Sequence, residues 1–509
     1  MKVLLINPDV PNTFWSLKYA LKFVSKKALL PPIGLLTVAA MLPENWALKL
    51  IDMNVTRLRD DDLTWADLVF LSGMAVQKPS VDQIIERCKR LNVPIVAGGP
   101  LFTAFPELYE DIGHLVLQEA EITLPKFLKD LEQGHPQRYY TSREKPDLGA
   151  TPIPQWDLIA MKQYAMMGIQ YSRGCPFDCD FCDVTRLFGH RLRTKTTGQI
   201  LAELDRLYAA GWRGEVFFVD DNFIGKKHTL KTELLPAMIE WMEHRNRPFY
   251  FNTQASIDLA DDEELMTLMV RAGFDCVFVG VESPDETCLN ECNKIQNTGR
   301  DMVNAIKKMQ RFGLQVQGGF IVGFDSDQPT VFDRMIDLIQ NSGIVMAMVG
   351  LLNAPRGTKL YKKLMHENRL TRPPSGDNMD CTMNFVPRMD VHELLSGYYK
   401  VLHTIYSQKY YCKRIKVFLE NYNLSNTLRL KVRYSGIKAF VKSMWQIGII
   451  EKGQIHYWRL ILWSLRRPRR LPQAVRFSIY GYHFRKMLKN LRPQISELAV
   501  VSNDLGTLT

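Results

Sequence analysis

The sequence predicts a three-part α/β protein: a doubly wound parallel sheet, a partial barrel of six β/α units, and an all-α basic C-terminal region. Two successive series of short β-rich runs alternating with helical patterns predict the first two parts. The end of strand patterning near residue 376 predicts the third. At 509 residues the chain is too long for one core. With 46% apolar and 23% charged residues it reads as soluble and globular, which excludes extended disorder. No run reaches the roughly 18 apolar residues of a membrane span.

In the first part, over residues 1–140, strands are predicted at 3–6, 48–51, 68–71, 94–97 and 114–117, with helices such as 33–42 and 80–91 between them. The run that begins Met1-Lys-Val-Leu-Leu-Ile-Asn-Pro8 has no long apolar core and no cleavage site, so it reads as a buried strand, not a signal peptide. Ligands of such sheets sit beyond the strand carboxyl ends. Those ends carry Asn7-Pro8, Ser72-Gly73, Gly98-Gly99-Pro100 and Glu119. Glycine there permits close approach of a bulky ligand, with ordinary turn chemistry as the alternative for any one pair.

Residues 141–165 form a connector marked by Pro146, Pro152 and Pro154. The second series then places strands at 169–172, 215–219, 249–252, 276–279, 316–322 and 344–352, with helices at 197–210, 229–245, 261–272, 299–312 and 328–342. Six strands with five helices between them make a (β/α)6 partial barrel over 166–375, two units short of the eight-fold form, and its site is expected in the loops after the strands.

Residues 376–509 form the third part. The net charge of +11 is concentrated here: 18 Lys or Arg against Glu420 and Glu451 between residues 413 and 489 give 18 − 2 = +16, leaving −5 for the rest. Trp445, Trp458 and Trp463 lie among Arg459, Arg466, Arg467, Arg469 and Arg470, a pattern that suits either a solvated helix face or a membrane interface. No nucleic-acid-binding motif accompanies the charge, and no nucleic acid partner is expected.

Nine cysteines is an odd number, three of them crowd into eight residues and nothing indicates export, so a disulfide framework is not expected and a reducing cytoplasm is. Three of them form Cys175-Pro-Phe-Asp-Cys179-Asp-Phe-Cys182. Thiolates are the usual ligands of iron–sulfur clusters, four saturate a cubane, and here a nearby fourth is missing. A structural zinc site would need a second close pair, and none stands out.

C-x3-C-x2-C in the first βα loop of a partial barrel resembles the radical S-adenosylmethionine superfamily. The resemblance implies a 4Fe–4S cluster on Cys175, Cys179 and Cys182, with S-adenosylmethionine chelated to the open iron. It further implies S-adenosylmethionine contacts by Phe181, Asp220, Asp221, Asn222, Gln254, Ser256, Glu282, Gly323 and Leu351, with Gly318-Gly319 flanking the fifth strand. Asp220-Asp221-Asn222 stands where the superfamily usually has Gly-Gly-Glu.

A doubly wound unit ahead of such a barrel resembles the cobalamin-binding members, in which that unit is a Rossmann-like cobalamin domain. Cobalamin would rest on Asn7, Pro8, Ser72, Gly73, Gly98, Gly99, Pro100 and Glu119. The chain lacks Asp-x-His-x-x-Gly, so no histidine is expected to ligate cobalt from below. Phe217-Phe-Val-Asp-Asp-Asn-Phe-Ile-Gly225, Asn293-Lys294, Ser375-Gly-Asp-Asn378 and Asn384-Phe-Val-Pro-Arg-Met389 are similar to the branch holding the hopanoid C-2 methylase and the bacteriochlorophyllide methylases. Arg356 interrupts its Pro-Gly-Thr.

That resemblance implies methyl transfer to an unactivated sp³ carbon of an isoprenoid, lipid or tetrapyrrole, with a flavodoxin- or ferredoxin-type electron donor. It singles out no general base. Ring formation without methyl transfer, and a cobalamin or redox sensor, are the alternatives. The expected location is cytoplasmic, with peripheral contact at the inner membrane face left open.

Overall fold

The computed structural model describes residues 1–377, 380–424 and 434–505, so Asn378 of the Ser-Gly-Asp-Asn motif lies outside the described residues. The first sheet holds β1 (Lys2–Asn7), β2 (Ala47–Asp52), β3 (Leu68–Ser72), β4 (Ile95–Gly98), β5 (His114–Val116) and β6 (Tyr139–Tyr140). All are parallel, in the order β2-β1-β3-β4-β5-β6. Strand β6 is absent from the five expected, because two tyrosines have no period to read. The order reverses between β1 and β3, which opens a crevice at that carboxyl edge. Central strands such as Val3-Leu-Leu-Ile6 are buried on both faces, hence their unbroken apolar runs.

The second sheet begins with β7 (Met166–Ile169). An antiparallel arm follows, β8 (Ser172–Arg173) paired with β9 (Arg193–Thr194). Then come β10 (Glu215–Phe218), β11 (Tyr250–Gln254), β12 (Phe274–Glu282), β13 (Gln315–Val322) and β14 (Ala347–Leu351), completing six parallel strands in sequence order. The first barrel strand therefore lies three residues before its expected place. Met-Met-Gly-Ile has little β-branched character, and Gly168 is there for a tertiary reason. A Cβ at 168 would overlap Ile33 and stand 3.2 Å from Leu30 Cδ1. Gly318 and Gly319 lie inside β13 rather than flanking it, where a side chain at 319 would press on Phe278, 2.8 Å away.

Six strands do not close a barrel, so β7 and β14 leave a seam. Residues 13–33 fill it. On the β14 side Trp15 Nε1 donates to Met348 Sδ at 3.0 Å and its ring meets Phe278 edge-on at 5.3 Å. On the β7 side Ala28 bridges to Tyr164, and the amides of Ala165 and Met166 donate to the carbonyls of Ala28 and Leu29. Phe14, Leu17, Leu21, Phe23 and Leu36 belong to the barrel's own core.

The third part is helical as expected: Val391–Tyr406, Gln408–Asn421, Tyr434–Trp445, Gln454–Leu465 and Leu471–Leu505. Its first helix covers the free edge of β14. The Tyr406 and Tyr398 hydroxyls donate to the carbonyls of Ala347 and Val349, at 2.6 and 3.2 Å, meeting the acceptors an edge strand leaves open. Arg414 is fully buried and donates to the carbonyls of Ile405 and Val345. From the last helix, Arg476 reaches Glu215 at 3.6 Å, and buried His483 sits 3.3 Å from the Phe14 carbonyl. Among the described residues no helix is long and apolar enough to cross a membrane.

Candidate functional site

After β7 the chain turns sharply. The buried Asp220 carboxylate accepts from the backbone amides of Tyr171 and Ser172 and from the Ser172 hydroxyl. Burial pushes its carboxyl up to about 7 against those three donors. Asp220, expected at the S-adenosylmethionine site, is thus fully buried with its carboxylate taken up by the turn. Asp221 takes the outward place beside it: it accepts from Gly174 N at 3.1 Å, and burial raises it to about 6.

Gly174 has φ +100° and packs where a Cβ would stand 2.8 Å from the Gly189 carbonyl, so only glycine turns the chain into the cysteine loop. Within the loop Cys182 N donates to Cys179 O at 3.1 Å, folding the last two cysteines together. The loop is anchored from outside: Asn293 Nδ2 donates to Asp178 O at 2.8 Å, Asp180 N to Cys292 O at 3.0 Å, and Lys359 pairs with Asp178.

Cys179 is buried, Cys175 and Cys182 half-buried, and all nine cysteines are free thiols. Burial raises the three loop thiols, Cys182 to about 12, so a cluster, which takes thiolates, would bind here with release of protons. Among the described residues no three His, Cys, Asp or Glu side chains converge on a single-ion site.

The remaining strand ends form a polar rim. Asn222 Nδ2 donates to Ser256 Oγ at 3.2 Å, and Gln254 ends β11 half-buried. Glu282 ends β12 with φ +64°, after a register shift against β13. Its carboxylate meets Lys294 Nζ at 2.8 Å, and a Cβ at Gly280 would crowd both groups. Burial works against the Lys294 charge, but the Glu282 carboxylate holds the ammonium well above its usual range. Lys294 Nζ also lies 6.0 Å over the Phe181 ring. Gly323, at φ +106°, donates to Asp327, and Leu351 ends β14.

On the first sheet's carboxyl edge, Asn7 donates to Asp52 at 2.9 Å and the Pro8 carbonyl accepts from Gln77 at 2.7 Å. A Cβ at Gly98 would stand 2.6 Å from the Val116 carbonyl, one at Gly99 (φ +92°) 2.6 Å from Ser72 Oγ, and one at Gly73 2.8 Å from Val81. These glycines answer to protein neighbours as well as to any ligand. Pro100 is exposed at the first position of the helix Pro100–Ala104. A cleft of about 540 Å3 opens beyond β1 and β2, lined by Asp9, Met53, Asn54, Ser80 and Arg87. His114 starts β5 at the opposite edge, and its Nδ1 sits 2.7 Å from the Gln137 carbonyl.

Glu119, expected at the cobalamin edge, has a buried carboxylate that binds Arg173 at 2.8 Å and grips Arg193 with both oxygens at 2.9 Å. Glu121 adds 2.7 and 3.0 Å contacts to Arg173, which holds its carboxyl below the usual range despite burial. Arg356 pairs with Glu107 and donates to the Ala104 carbonyl, tying the barrel rim to the first unit a second time. No periodicity reveals these partners. The signal available was four glutamate and arginine positions bracketing the two expected ligand edges.

The fold agrees with comparisons to known proteins. Three family models match the chain: B12 binding domain over residues 24–128, Radical SAM superfamily over 169–355, and a domain of unknown function over 358–497. An uncharacterized methyltransferase of Synechocystis is 38% identical over 98% of this chain and 94% of its own length. The hopanoid C-2 methylase of Rhodopseudomonas palustris is 30% identical over 92% of this chain and 90% of its own. Among solved structures, the cobalamin-dependent S-adenosylmethionine radical enzyme OxsB shares the fold, with TM-score 0.62 and 17% identity, over 100% of this chain and 81% of that one.

Proposed function

Because this chain belongs to the cobalamin-binding radical S-adenosylmethionine enzymes, in the methylase branch, we propose that it methylates an unactivated sp³ carbon of a hydrophobic isoprenoid, lipid or tetrapyrrole. One observation carries the reading. Arg173, two residues before Cys175, is held by Glu119 and Glu121 of the first unit, which ties the start of the cysteine loop to the first sheet's carboxyl edge and supports a reading in which both cofactors share one interface.

In this reading the cofactors fall to the following residues. Cys175, Cys179 and Cys182 would hold the 4Fe–4S cluster and leave one iron for S-adenosylmethionine. Asp221 and Asn222 would hold its methionine ammonium, Gln254, Ser256 and Glu282 would surround its ribose, Phe181 and Gly323 would lie beside its adenine, and Leu351 would end the sixth strand at the same rim. Asn7, Ser72, Gly73, Gly98, Gly99 and Pro100 would support cobalamin. When bound, these groups supply one-electron hydrogen abstraction and a transferable methyl group. The chain's own part is positional: the Arg173–Glu119 pair sets the distance between the edges, Lys294 puts a cation beside the cysteine loop, and the seam filled by residues 13–33 keeps water from the barrel interior. A cytoplasmic flavodoxin- or ferredoxin-type donor would supply electrons.

The test is anaerobic reconstitution with reductant, S-adenosylmethionine and cobalamin. Release of 5′-deoxyadenosine, its loss in Cys179→Ala, and a product heavier by one methylene unit are expected. Deoxyadenosine without a mass gain would favour ring formation, and its absence with an intact cluster would end the radical reading.

A further inference from the structure

Eight of the nineteen exposed large apolar side chains among the described residues fall between Ile437 and Leu465. Scattered exposed apolar residues need no explanation, but a contiguous row does. On Tyr434–Trp445 the positions Ile437, Val441 and Trp445 recur every four residues on one face, and the row continues into Ile449 and Ile450. On Gln454–Leu465, exposed Ile455, Arg459, Leu462 and Arg466 follow one another at helical spacing, so apolar and cationic side chains share a face. The opposite face packs inward through Tyr457, Leu460 and Ile461. Trp445 is 61% exposed and Leu462 60%.

The charge around this row has no internal answer. Lys438, Lys452, Arg459, Arg466 and Arg469 are exposed and pair with no carboxylate among the described residues. Glu451, the one acid between residues 421 and 489, is turned inward onto Arg485 at 2.8 and 3.0 Å. Lys442 donates to the Lys22 carbonyl at 3.0 Å, which sets exposed Val24 and Lys22 beside the same row.

We propose that this face docks on an anionic lipid bilayer, with Trp445, Ile449, Ile450 and Leu462 entering the interface and the lysines and arginines meeting lipid phosphates. A second copy of the chain would bring another strongly basic face against it, and like charge opposes that pairing. A nucleic acid backbone would answer the charge and leave the apolar row in water. The proposal concerns binding alone and stands apart from methyl transfer, since vesicle binding is read without turnover.

The experiment is flotation of the full chain with vesicles of phosphatidylcholine, with and without phosphatidylglycerol, at low and high salt. Binding to the mixed vesicles, weakened by salt, is expected. Each near-surface cation is worth roughly fivefold in partitioning, so Arg459→Gln with Arg466→Gln should lower it about thirtyfold. Trp445→Glu with Leu462→Glu should abolish binding while the unfolding midpoint stays put, because both side chains are exposed. Failure of the wild type to float, equal binding by all variants, RNA binding in place of vesicle binding, or a dimer that shields Trp445 would each overturn the proposal.

Discussion

Replacing Glu119 with alanine should loosen the cysteine loop from a distance of 56 residues in sequence. The carboxylate is 5% exposed, and its partners Arg173 and Arg193 are 12% and 15% exposed. Removing one partner from such a buried set costs about 3–5 kcal/mol, because the cations stay behind without their counter-charge. Two features hold the loss to the lower end. Glu121 still grips Arg173, and Arg193 keeps the carbonyls of Pro146 and Phe188 at 2.8 and 3.1 Å. A loss of about 3 kcal/mol raises the local opening equilibrium more than a hundredfold. Hydrogen exchange reads it directly: the amides of Ser172, Gly174 and Cys175, bonded to Asp220, Asp221 and Gly189, should exchange faster by that factor while those of β3 and β4 do not. Glu119→Gln should fall between wild type and alanine. If Ser172 and Cys175 exchange as slowly in Glu119→Ala as in wild type, the β8–β9 arm holds itself and the interface is not what positions it.

Three further outcomes are expected. Burial lowers His483 to about 4, so the folded chain refuses a proton that the unfolded chain accepts near 6.5. Its contribution is complete above pH 6.5 and fades as pH falls toward 4, by about 3 kcal/mol in all. Urea midpoints of wild type and His483→Phe, compared across that window, should converge as pH drops, and parallel curves would contradict the assignment. Tyr406→Phe leaves the Ala347 carbonyl unanswered at the β14 edge and should lower stability by about 1–2 kcal/mol, measured by denaturant unfolding. Gly98→Ala forces a Cβ toward the Val116 carbonyl at 2.6 Å, backbone that cannot swing aside. Cobalamin retention after gel filtration should drop at least tenfold while the cluster's visible absorbance persists.

Much of the architecture was legible because it rests on local pattern. Unbroken apolar runs mark the buried parallel strands, helical periods mark their connections, and the cysteine spacing marks the loop after β7. What escaped depends on partners far along the chain. Gly168 reads as a strand breaker until Ile33 is seen lying against it, which is why the first barrel strand was expected three residues late. Asp220 and Asp221 look equivalent in sequence, and only the amides of Tyr171 and Ser172 decide that one turns in and the other out. Glu119 sits on the expected edge, yet its role is set by two arginines beyond residue 170. Arg356 likewise finds its partner Glu107 in the first unit, 249 residues away in sequence.

The filling of the β7–β14 seam by residues 13–33 bears on how such a chain can be divided. These residues precede most of the first unit in sequence but share a core with the barrel and with the last helix through Phe14, Phe484 and His483. A cut at the connector would yield a barrel missing its own wall and a first unit carrying an orphaned apolar strip. During synthesis the strip emerges first and must wait for its β14 partner, more than 300 residues later, so the barrel wall closes late and a cut at the connector separates two pieces that complete each other.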